Sequence, residues 1–178
     1  MRRLFIAIKM PEQVGFKLAN LQGGIPGARW VDVSQFHLTI HFIGEVDGQR
    51  EQDLVDSFSG LYANRFNVNL KGINHFSSKG YIRSIWVGVQ PCCELFALKR
   101  RIESIVTKTD LKGGGGKFVP HVTLARLKNP PSEAVAGFEM ENNLFKINSI
   151  QIDSFTLFES KSVRQGRSYQ TILDFPLK

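Results

Sequence analysis

Cysteine is scarce in this chain, and the two cysteines that occur, Cys92 and Cys93, are adjacent. Adjacent Cα atoms lie ~3.8 Å apart, too close for an ordinary disulfide, and no Cys-x-x-Cys pair offers the ligands of a structural zinc site. The pattern therefore excludes a disulfide scaffold and indicates a reducing compartment, which we expect to be the cytoplasm.

Long apolar runs are also missing, since none approaches the ~20 residues that a membrane helix requires. The apolar segment over residues 4–8 resembles a short signal peptide, but Lys9 and Pro11 follow at once and no small-residue cleavage pattern is present. We therefore predict that residues 4–8 form a strand and that the protein does not associate with a membrane.

Acidic residues are outnumbered, with 16 Asp and Glu against 23 Lys and Arg, which gives a net charge of +7. Such an excess favours polyanionic partners, although charge alone does not identify one. A length of 178 residues with 42% hydrophobic residues suits one globular domain that buries its own core. We expect residues 1–178 to form a single domain.

Two short segments, one in each half of the chain, share the pattern His-x-Thr-x with aliphatic residues at x. They are His37-Leu38-Thr39-Ile40 and His121-Val122-Thr123-Leu124. Both lie among β-branched and aromatic residues, which predicts strands. Alternate residues of a strand share a face, so each histidine should lie beside its threonine while the aliphatic residues face the core. One copy would carry little information, but two copies are difficult to explain by chance.

Strand alternation gives further expectations around the first segment. His41 should share the face of His37, and Phe42 should lie on the core face, where it would be a less suitable platform for a nucleobase. Trp30 is likewise expected in the core. His37 and His41 have the His-x-x-x-His spacing of helical zinc sites, but on a strand their Cα atoms would be ~13 Å apart, so we predict no metal. The strand should end at Gly44.

The apolar periodicity predicts the same order of elements twice: strand, helix, His-x-Thr strand, helix, strand. The first set covers residues 4–76 and the second covers residues 82–158, and a last strand follows over residues 169–175. The second set includes a short helix over residues 132–136 and strands over residues 144–147 and 150–158. We infer an α+β fold of two similar lobes, related by approximate twofold symmetry, with one His-Thr face from each lobe lining a shared central cleft.

Two facing imidazoles suit in-line displacement at phosphorus, which needs a base for the attacking oxygen and an acid for the leaving oxygen. A free pKa near ~6.5 allows one ring to be neutral and the other charged near neutral pH. The threonine hydroxyls can donate to the non-bridging phosphate oxygens. Arg126 is a candidate cation for the phosphate, but it follows His121 by five residues, so it reaches the same face only if the strand bulges or ends near Ala125.

Several segments along the whole chain resemble the bacterial RNA 2′,3′-cyclic phosphodiesterases, members of the two-histidine phosphoesterase superfamily that were long described as 2′-5′ RNA ligases. The resemblance implies a bilobal fold in which antiparallel sheets with outer helices surround the cleft. The segments that carry it are Arg3-Leu4-Phe5-Ile6-Ala7-Ile8, His37-Leu38-Thr39-Ile40 with Phe42-Ile43-Gly44-Glu45-Val46, Pro120-His121-Val122-Thr123-Leu124-Ala125-Arg126, and Leu157-Phe158-Glu159-Ser160 with Gly166 and Tyr169.

The resemblance implies an enzyme without metal or nucleotide cofactor that opens RNA 2′,3′-cyclic phosphate ends to 2′-phosphomonoesters, with reversible 2′-5′ joining of RNA ends, tRNA halves among them, as a side activity. It assigns acid-base catalysis to His37 and His121, and phosphate binding to Thr39, Thr123 and Arg126. We expect His121 to activate water and His37 to protonate the leaving O3′, although the near symmetry of the motifs leaves this assignment open. A monomer is expected because one chain supplies both motifs.

Other readings of the function stay open at this point. The chain could be an RNA-end-binding module that kept the cleft without turnover, or it could apply the same chemistry to 2′-5′-linked oligonucleotides or to a cyclic phosphate on another ribose compound. Lys161, Arg164 and Arg167 are candidate contacts for an RNA backbone, with a solvated turn at least as well supported. His75 lies outside both motifs and is expected to be structural or exposed.

The glycine-rich segment Gly113-Gly114-Gly115-Gly116-Lys117 invites comparison with a phosphate-binding loop. That motif would need glycine at position 111 and serine or threonine at 118, where this chain has Leu111 and Phe118. We therefore expect a flexible connection at the rim of the cleft.

Overall fold

The computed structural model describes residues 1–111, 113–114, 116–163 and 166–178. Within these residues the strands are β1 (Arg2–Lys9), β2 (Arg29–Trp30), β3 (His37–Val46), β4 (Phe66–Ser78), β5 (Tyr81–Val89), β6 (His121–Arg126), β7 (Lys146–Ile152), β8 (Ser154–Val163) and β9 (Gly166–Pro176). The helices are α1 (Glu12–Ala19), α2 (Gly48–Ser59), α3 (Cys93–Lys108) and α4 (Ser132–Glu141), and a 3₁₀ turn covers Val33–Gln35.

The helices form where the sequence supplies both a start signal and an apolar stripe. Asp47 caps α2 by accepting a hydrogen bond from the backbone N–H of Arg50 at 2.9 Å, and Leu54 and Phe58 lie one turn apart on its buried side. Helix α4 is longer than the predicted segment, which covered only residues 132–136. Within the described residues, no helix has the length and apolar character needed to span a membrane.

The strands form one antiparallel sheet in the order β7-β4-β5-β6-β3-β1-β8-β9, with β2 paired to β6. The two motif strands, β3 and β6, are neighbours at its centre. Strands β1, β8 and β9 extend the sheet beyond β3, and strands β5, β4 and β7 extend it beyond β6. The predicted α+β architecture with two related lobes is confirmed.

The two lobes are not the two halves of the sequence, which corrects the simplest form of the repeat. Strand β4 belongs to the first repeat but pairs with β5, and β8 belongs to the second repeat but pairs with β1. Only Lys79 and Gly80 separate β4 from β5, and both have positive φ. Such a two-residue connection favours a local hairpin, so β4 joins the second lobe.

Two strand limits also differ from the prediction. Strand β3 continues through Gly44, which has a φ of +99°, and ends at Val46. Strand β7 runs to Ile152, although a break was expected near residue 148, because Ser149 bulges with a φ of +56° and donates its N–H to the Asn69 side chain of β4 at 2.8 Å. The bulge keeps β7 paired with β4 beyond that point.

The main hydrophobic core is continuous and draws on both lobes and all four described helices, through Leu18, Leu54, Leu98 and Val135 among others. A second, smaller cluster joins Phe5, Ala7 and Phe158, with Tyr169 packed against it. Because Phe5 and Ala7 alternate along β1 with residues of the main core, the small cluster lies on the opposite face of the sheet. Strand β1 is therefore buried on both faces, as its continuous apolar run indicates.

Candidate active site

The pairing of β3 with β6 brings the two motifs together. Leu38 is opposite Val122, and both side chains are fully buried. In the same antiparallel register, His37 is opposite Thr123, and His121 is opposite Thr39. Diagonal neighbours in such a ladder are about 7–8 Å apart at Cα. We use the term cleft face for the side of the sheet that carries the half-buried residues His37, Thr39, His121 and Thr123.

Both imidazoles are held in the same way by the backbone. The Nδ1–H of His37 donates to the carbonyl oxygen of Gln35 at 2.7 Å, and the Nδ1–H of His121 donates to that of Val119 at 2.7 Å. A carbonyl oxygen only accepts, so Nδ1 carries the proton in each neutral ring. Nε2 is therefore the atom that can accept or donate a proton during a reaction.

Aromatic side chains surround each ring and lower its proton affinity. The His37 ring lies 4.9 Å from the ring centroid of Tyr169 and 5.4 Å from that of Phe5. This burial lowers the pKa of His37 to about 4; the Gln35 carbonyl opposes the shift, and the charges of Arg126 and His121 add to it. A neutral His37 is the resting form near neutral pH.

The second histidine has a similar setting. Its ring lies 4.8 Å from that of Phe76 and 5.6 Å from that of Trp86. Burial lowers the pKa of His121, and the hydrogen bond to the Val119 carbonyl opposes the shift. Both candidate catalytic rings are therefore harder to protonate than free histidine.

A bulge in β6 turns Arg126 toward the cleft face. Trp86 of β5 pairs with Thr123 and the preceding residue pairs with Ala125, so Leu124 is an extra residue in β6. Both Leu124 and Ala125 are buried, which reverses the alternation after them. This is the irregularity that a phosphate contact by Arg126 requires.

The Arg126 side chain reaches the neighbourhood of the first motif. Its Nη2–H donates to the hydroxyl oxygen of Tyr169 at 2.8 Å, and its charge contributes to lowering the pKa of His37. The guanidinium thus lies at the end of the cleft face where the first histidine is found. An anion bound between the motifs would lie beside this cation.

The same bulge occurs in β3 and corrects two expectations. Ala7 pairs with Thr39 and Ile6 pairs with His41, so Ile40 is the extra residue. Phe42 is therefore 60% exposed, and its ring centroid lies 5.9 Å from that of Phe5, on the cleft side. The prediction that it lies on the core face was wrong.

His41 is the second correction, since it does not share the face of His37. It is only 9% exposed and lies under α3, with Nδ1 3.7 Å from a carboxylate oxygen of Glu103, which also pairs with Lys99. Burial lowers the pKa of His41, Glu103 opposes the shift, and Lys99 adds to it. The bulge carries this ring to the helix side.

The two bulges make Arg126 and Phe42 equivalent under the approximate twofold symmetry. Phe42 pairs with Phe5, and Arg126 pairs with Ser84 at the corresponding position. The two symmetry-related backbone positions thus carry side chains of different chemistry. The cleft face has a cation and a hydroxyl at one end and exposed aromatic surface at the other.

The family model of the LigT-like phosphoesterases matches residues 8–86 and again residues 87–169. The chain belongs to the LigT-like phosphoesterase family. The two matches correspond to the two histidine motifs, one in each repeat.

Two curated relatives share the name RNA 2′,3′-cyclic phosphodiesterase. The chain is 30% identical over 153 residues to an RNA 2′,3′-cyclic phosphodiesterase of Aeropyrum pernix, covering 85% of this chain and 86% of that protein. It is 28% identical over 180 residues to the protein of that name from Escherichia coli, covering 97% of this chain and 94% of the relative.

Solved structures establish the same fold. E. coli LigT complexed with 3′-AMP superposes with a TM-score of 0.77 at 23% identity and covers 99% of this chain and 98% of that one. The protein TT0787 of Thermus thermophilus superposes with a TM-score of 0.79 at 22% identity, with 98% and 97% covered. The predicted two-histidine phosphoesterase fold is confirmed.

Several other sequence candidates of this LigT-like protein lie away from the cleft face or outside the described residues. Trp30 packs against Phe138 at 5.6 Å in the core, as expected. His75 has a structural partner, since its Nδ1 is 2.7 Å from a carboxylate oxygen of Glu139. Arg164 cannot be assigned a place, because it lies outside the described residues.

Two residues of the glycine-rich segment, Gly113 and Gly114, lie beside β3. Gly114 donates its N–H to the Phe42 carbonyl at 2.8 Å, and Gly113 approaches His41 so closely that a Cβ atom there would be 1.8 Å from Nε2. Gly115 lies outside the described residues. In the part of the chain that is described, no group of three or more His, Cys, Asp or Glu side chains is arranged to hold a metal ion.

The remaining basic candidates, one on β8 and one on β9, have local partners. Lys161 donates to Gln170 at 2.7 Å, and Arg167 donates to the Ser160 hydroxyl at 3.2 Å. Sequence reasoning overlooked Gln35, whose side chain contacts the backbone of Tyr169. No motif pointed to it, because the contact joins residues far apart in the chain.

Proposed function

We propose that this protein is an RNA 2′,3′-cyclic phosphodiesterase, which hydrolyses the cyclic phosphate at an RNA 3′ end to a 2′-phosphomonoester. The observation that carries the proposal is the β3–β6 register, in which each motif histidine is opposite the threonine of the other motif. Family membership and the shared name of the curated relatives support the same reaction.

The reaction is an in-line displacement at phosphorus. A water oxygen forms a new bond to phosphorus while the bond from phosphorus to O3′ breaks. One histidine Nε2 takes the proton from water, and the other gives its proton to O3′; each role typically contributes about 10²- to 10⁴-fold. The Thr39 and Thr123 hydroxyls and the Arg126 guanidinium donate to the non-bridging oxygens, where negative charge increases. These residues supply the chemistry without a metal ion or a nucleotide cofactor.

The assignment of acid and base stays a prediction, with His121 as the base and His37 as the acid. In the free protein the pKa of His37 is about 4, so this ring is neutral near neutral pH. To act as the acid it must take up a proton together with the substrate. The phosphodiester anion favours that uptake because its negative charge offsets the positive charge of Arg126.

The exposed end of the cleft face supports a nucleotide substrate. Phe42 presents its ring to solvent beside Phe5, and unpaired bases stack on such rings. A net charge of +7 favours an RNA chain over a small neutral substrate. If the 5′-hydroxyl of a second RNA takes the place of water, the same displacement forms a 2′-5′ linkage, and tRNA halves are one candidate pair of ends.

The site needs no second subunit, because one chain supplies both motifs, so we propose a monomer. Cys92 and Cys93 are both free thiols. This is consistent with a protein that works in the reducing cytoplasm.

The test is incubation of the purified protein with adenosine 2′,3′-cyclic phosphate, and in parallel with a 2′-5′-linked dinucleotide, with and without excess chelator; ³¹P NMR identifies the products. We expect only the 2′-phosphate, formed at least ~10²-fold more slowly by the His37→Ala variant purified in parallel. Binding without turnover would support an RNA-end-binding module. Turnover restricted to 2′-5′-linked dinucleotides would change the substrate, and loss of activity in chelator would contradict metal-independent chemistry.

A further inference from the structure

Tyr169 contacts both halves of the site although it belongs to a distant strand. In the sheet order, β1 and β8 separate its strand β9 from β3. Even so, its ring lies 4.9 Å from the His37 ring at an interplanar angle of 77°, and its hydroxyl accepts from Arg126 of β6 at 2.8 Å. The part of β9 around Tyr169 therefore curls over the cleft face.

Gln35 holds this strand at one point. Its side-chain Oε1 accepts the backbone N–H of Tyr169 at 3.1 Å, and its Nε2–H donates to the Tyr169 carbonyl at 3.5 Å. The backbone carbonyl of the same residue accepts a hydrogen bond from Nδ1–H of His37. One glutamine thus links the first histidine to the tyrosine that packs on it.

The second motif has valine at the position equivalent to Gln35. A comparison of the two motifs therefore shows what the Gln35 side chain adds. Val119 is the equivalent of Gln35, and its carbonyl accepts from Nδ1–H of His121 at the same 2.7 Å. Valine has no polar side-chain group, so the carbonyl contact alone is enough to orient a histidine. The amide of Gln35 therefore has a different task.

We propose that Gln35 is a positioning residue, whose side-chain amide fixes Tyr169 between His37 and Arg126 and thereby couples the first catalytic ring to the phosphate-binding cation. The assignment of those two roles rests on the proposed function. Gln35 itself does not touch the reacting atoms. It acts through the ring of Tyr169, which shields His37, and through the hydroxyl, which holds the guanidinium.

The test compares three variants. Gln35→Met keeps the length of the side chain and removes both hydrogen bonds. Tyr169→Phe keeps the ring and removes only the acceptor for Arg126. Ser34→Ala is the control, because Ser34 is an exposed neighbour in the same 3₁₀ turn. The readouts are the His37 titration by NMR without substrate, the affinity for inorganic phosphate, and kcat and KM for adenosine 2′,3′-cyclic phosphate.

We expect Gln35→Met to move the His37 titration toward that of free histidine, because a loosened Tyr169 ring admits water, and to lower kcat/KM about tenfold. Tyr169→Phe should leave the titration in place and weaken phosphate binding about threefold or more. Ser34→Ala should match the wild type in every readout.

A His37 titration and a phosphate affinity that stay at wild-type values in Gln35→Met would overturn the proposal. If that variant does not fold, unchanged phosphate affinity in Tyr169→Phe overturns the coupling instead. The titration and the phosphate affinity are measured without turnover, so they test the positioning role even if the cyclic phosphate proves not to be a substrate.

Discussion

At the scale of single residues, the two motif histidines share the same kind of surroundings. Each is fixed through Nδ1 by the carbonyl two residues before it and is packed against aromatic rings. Burial among these rings lowers the pKa of both imidazoles below the usual value, and the hydrogen bonds to the carbonyls oppose the shift. The proposed reaction nevertheless requires one of them to be protonated, so a bound anion has to supply the missing stabilisation.

Binding of phosphate should therefore be linked to proton uptake. We expect sulfate, a phosphate mimic whose charge is constant over this range, to bind more tightly as the pH falls from about 8 to about 6, because its charge raises the pKa of the neighbouring imidazole. Calorimetry in buffers of different ionisation enthalpy measures the number of protons taken up. Affinity that increases with pH would contradict a neutral resting pair.

The two ends of the cleft face should make separable contributions to binding. Phe42→Leu should raise KM for adenosine 2′,3′-cyclic phosphate roughly fivefold or more, since base stacking is typically worth about 1–3 kcal/mol, and should leave the affinity for inorganic phosphate unchanged. Arg126→Gln should weaken both. Equal effects of Phe42→Leu on phosphate and nucleotide would show that the ring is structural.

At the scale of elements, the bulges in β3 and β6 decide which residues reach the cleft face. Strand alternation predicted the positions of His37 and His121 with their threonines, because these precede the bulges. It failed for His41 and Phe42, because one extra residue reverses every later side chain. A bulge leaves no local sequence signature here, so only the conditional prediction for Arg126 anticipated one.

Gly113 and Gly114, which lie beside β3, offer a test of the packing around His41. Gly113→Ala should destabilise the protein by about 1–3 kcal/mol, because overpacking a filled site costs that much and the new Cβ would be 1.8 Å from Nε2 of His41. Gly114→Ala is the matched control, since the nearest heavy atom to its Cβ would be at 3.5 Å. Urea unfolding of both variants measures the difference.

In a His41→Ala background, Gly113→Ala should destabilise the protein less than it does in the wild type. Removal of the imidazole makes room for the new methyl group at position 113. Equal stability of the two single glycine variants would contradict the close approach of this loop to β3.

At the scale of the whole molecule, the element order and the twofold repeat could be predicted from periodicity, whereas the exchange of β4 and β8 between lobes could not. The exchange depends on which strands pair, and the pairing of strands far apart in the chain cannot be predicted from the sequence of any one segment. The same holds for the contact of Gln35 with Tyr169, which joins positions 134 residues apart in the chain.

Stability should fall on mild acidification. The pKa values of His37, His41 and His121 are lowered in the folded protein. Between the folded values and the unfolded value near ~6.5, the unfolded chain binds more protons, so unfolding becomes easier as the pH falls through that window. The thermal midpoint should drop from pH 7 toward pH 5, and His41→Gln should reduce the slope. A midpoint that rises over this range would contradict the buried neutral rings.

The most direct measurement is the cyclic phosphate hydrolysis rate of His37→Ala, His121→Ala and the double variant. Each single change should lower kcat/KM by at least ~10²-fold, and the double change should lower it little further, because an acid and a base that act on one phosphate work as a unit. His75→Ala, outside both motifs, should retain the wild-type rate. Retention of most activity by either motif variant would contradict a shared site.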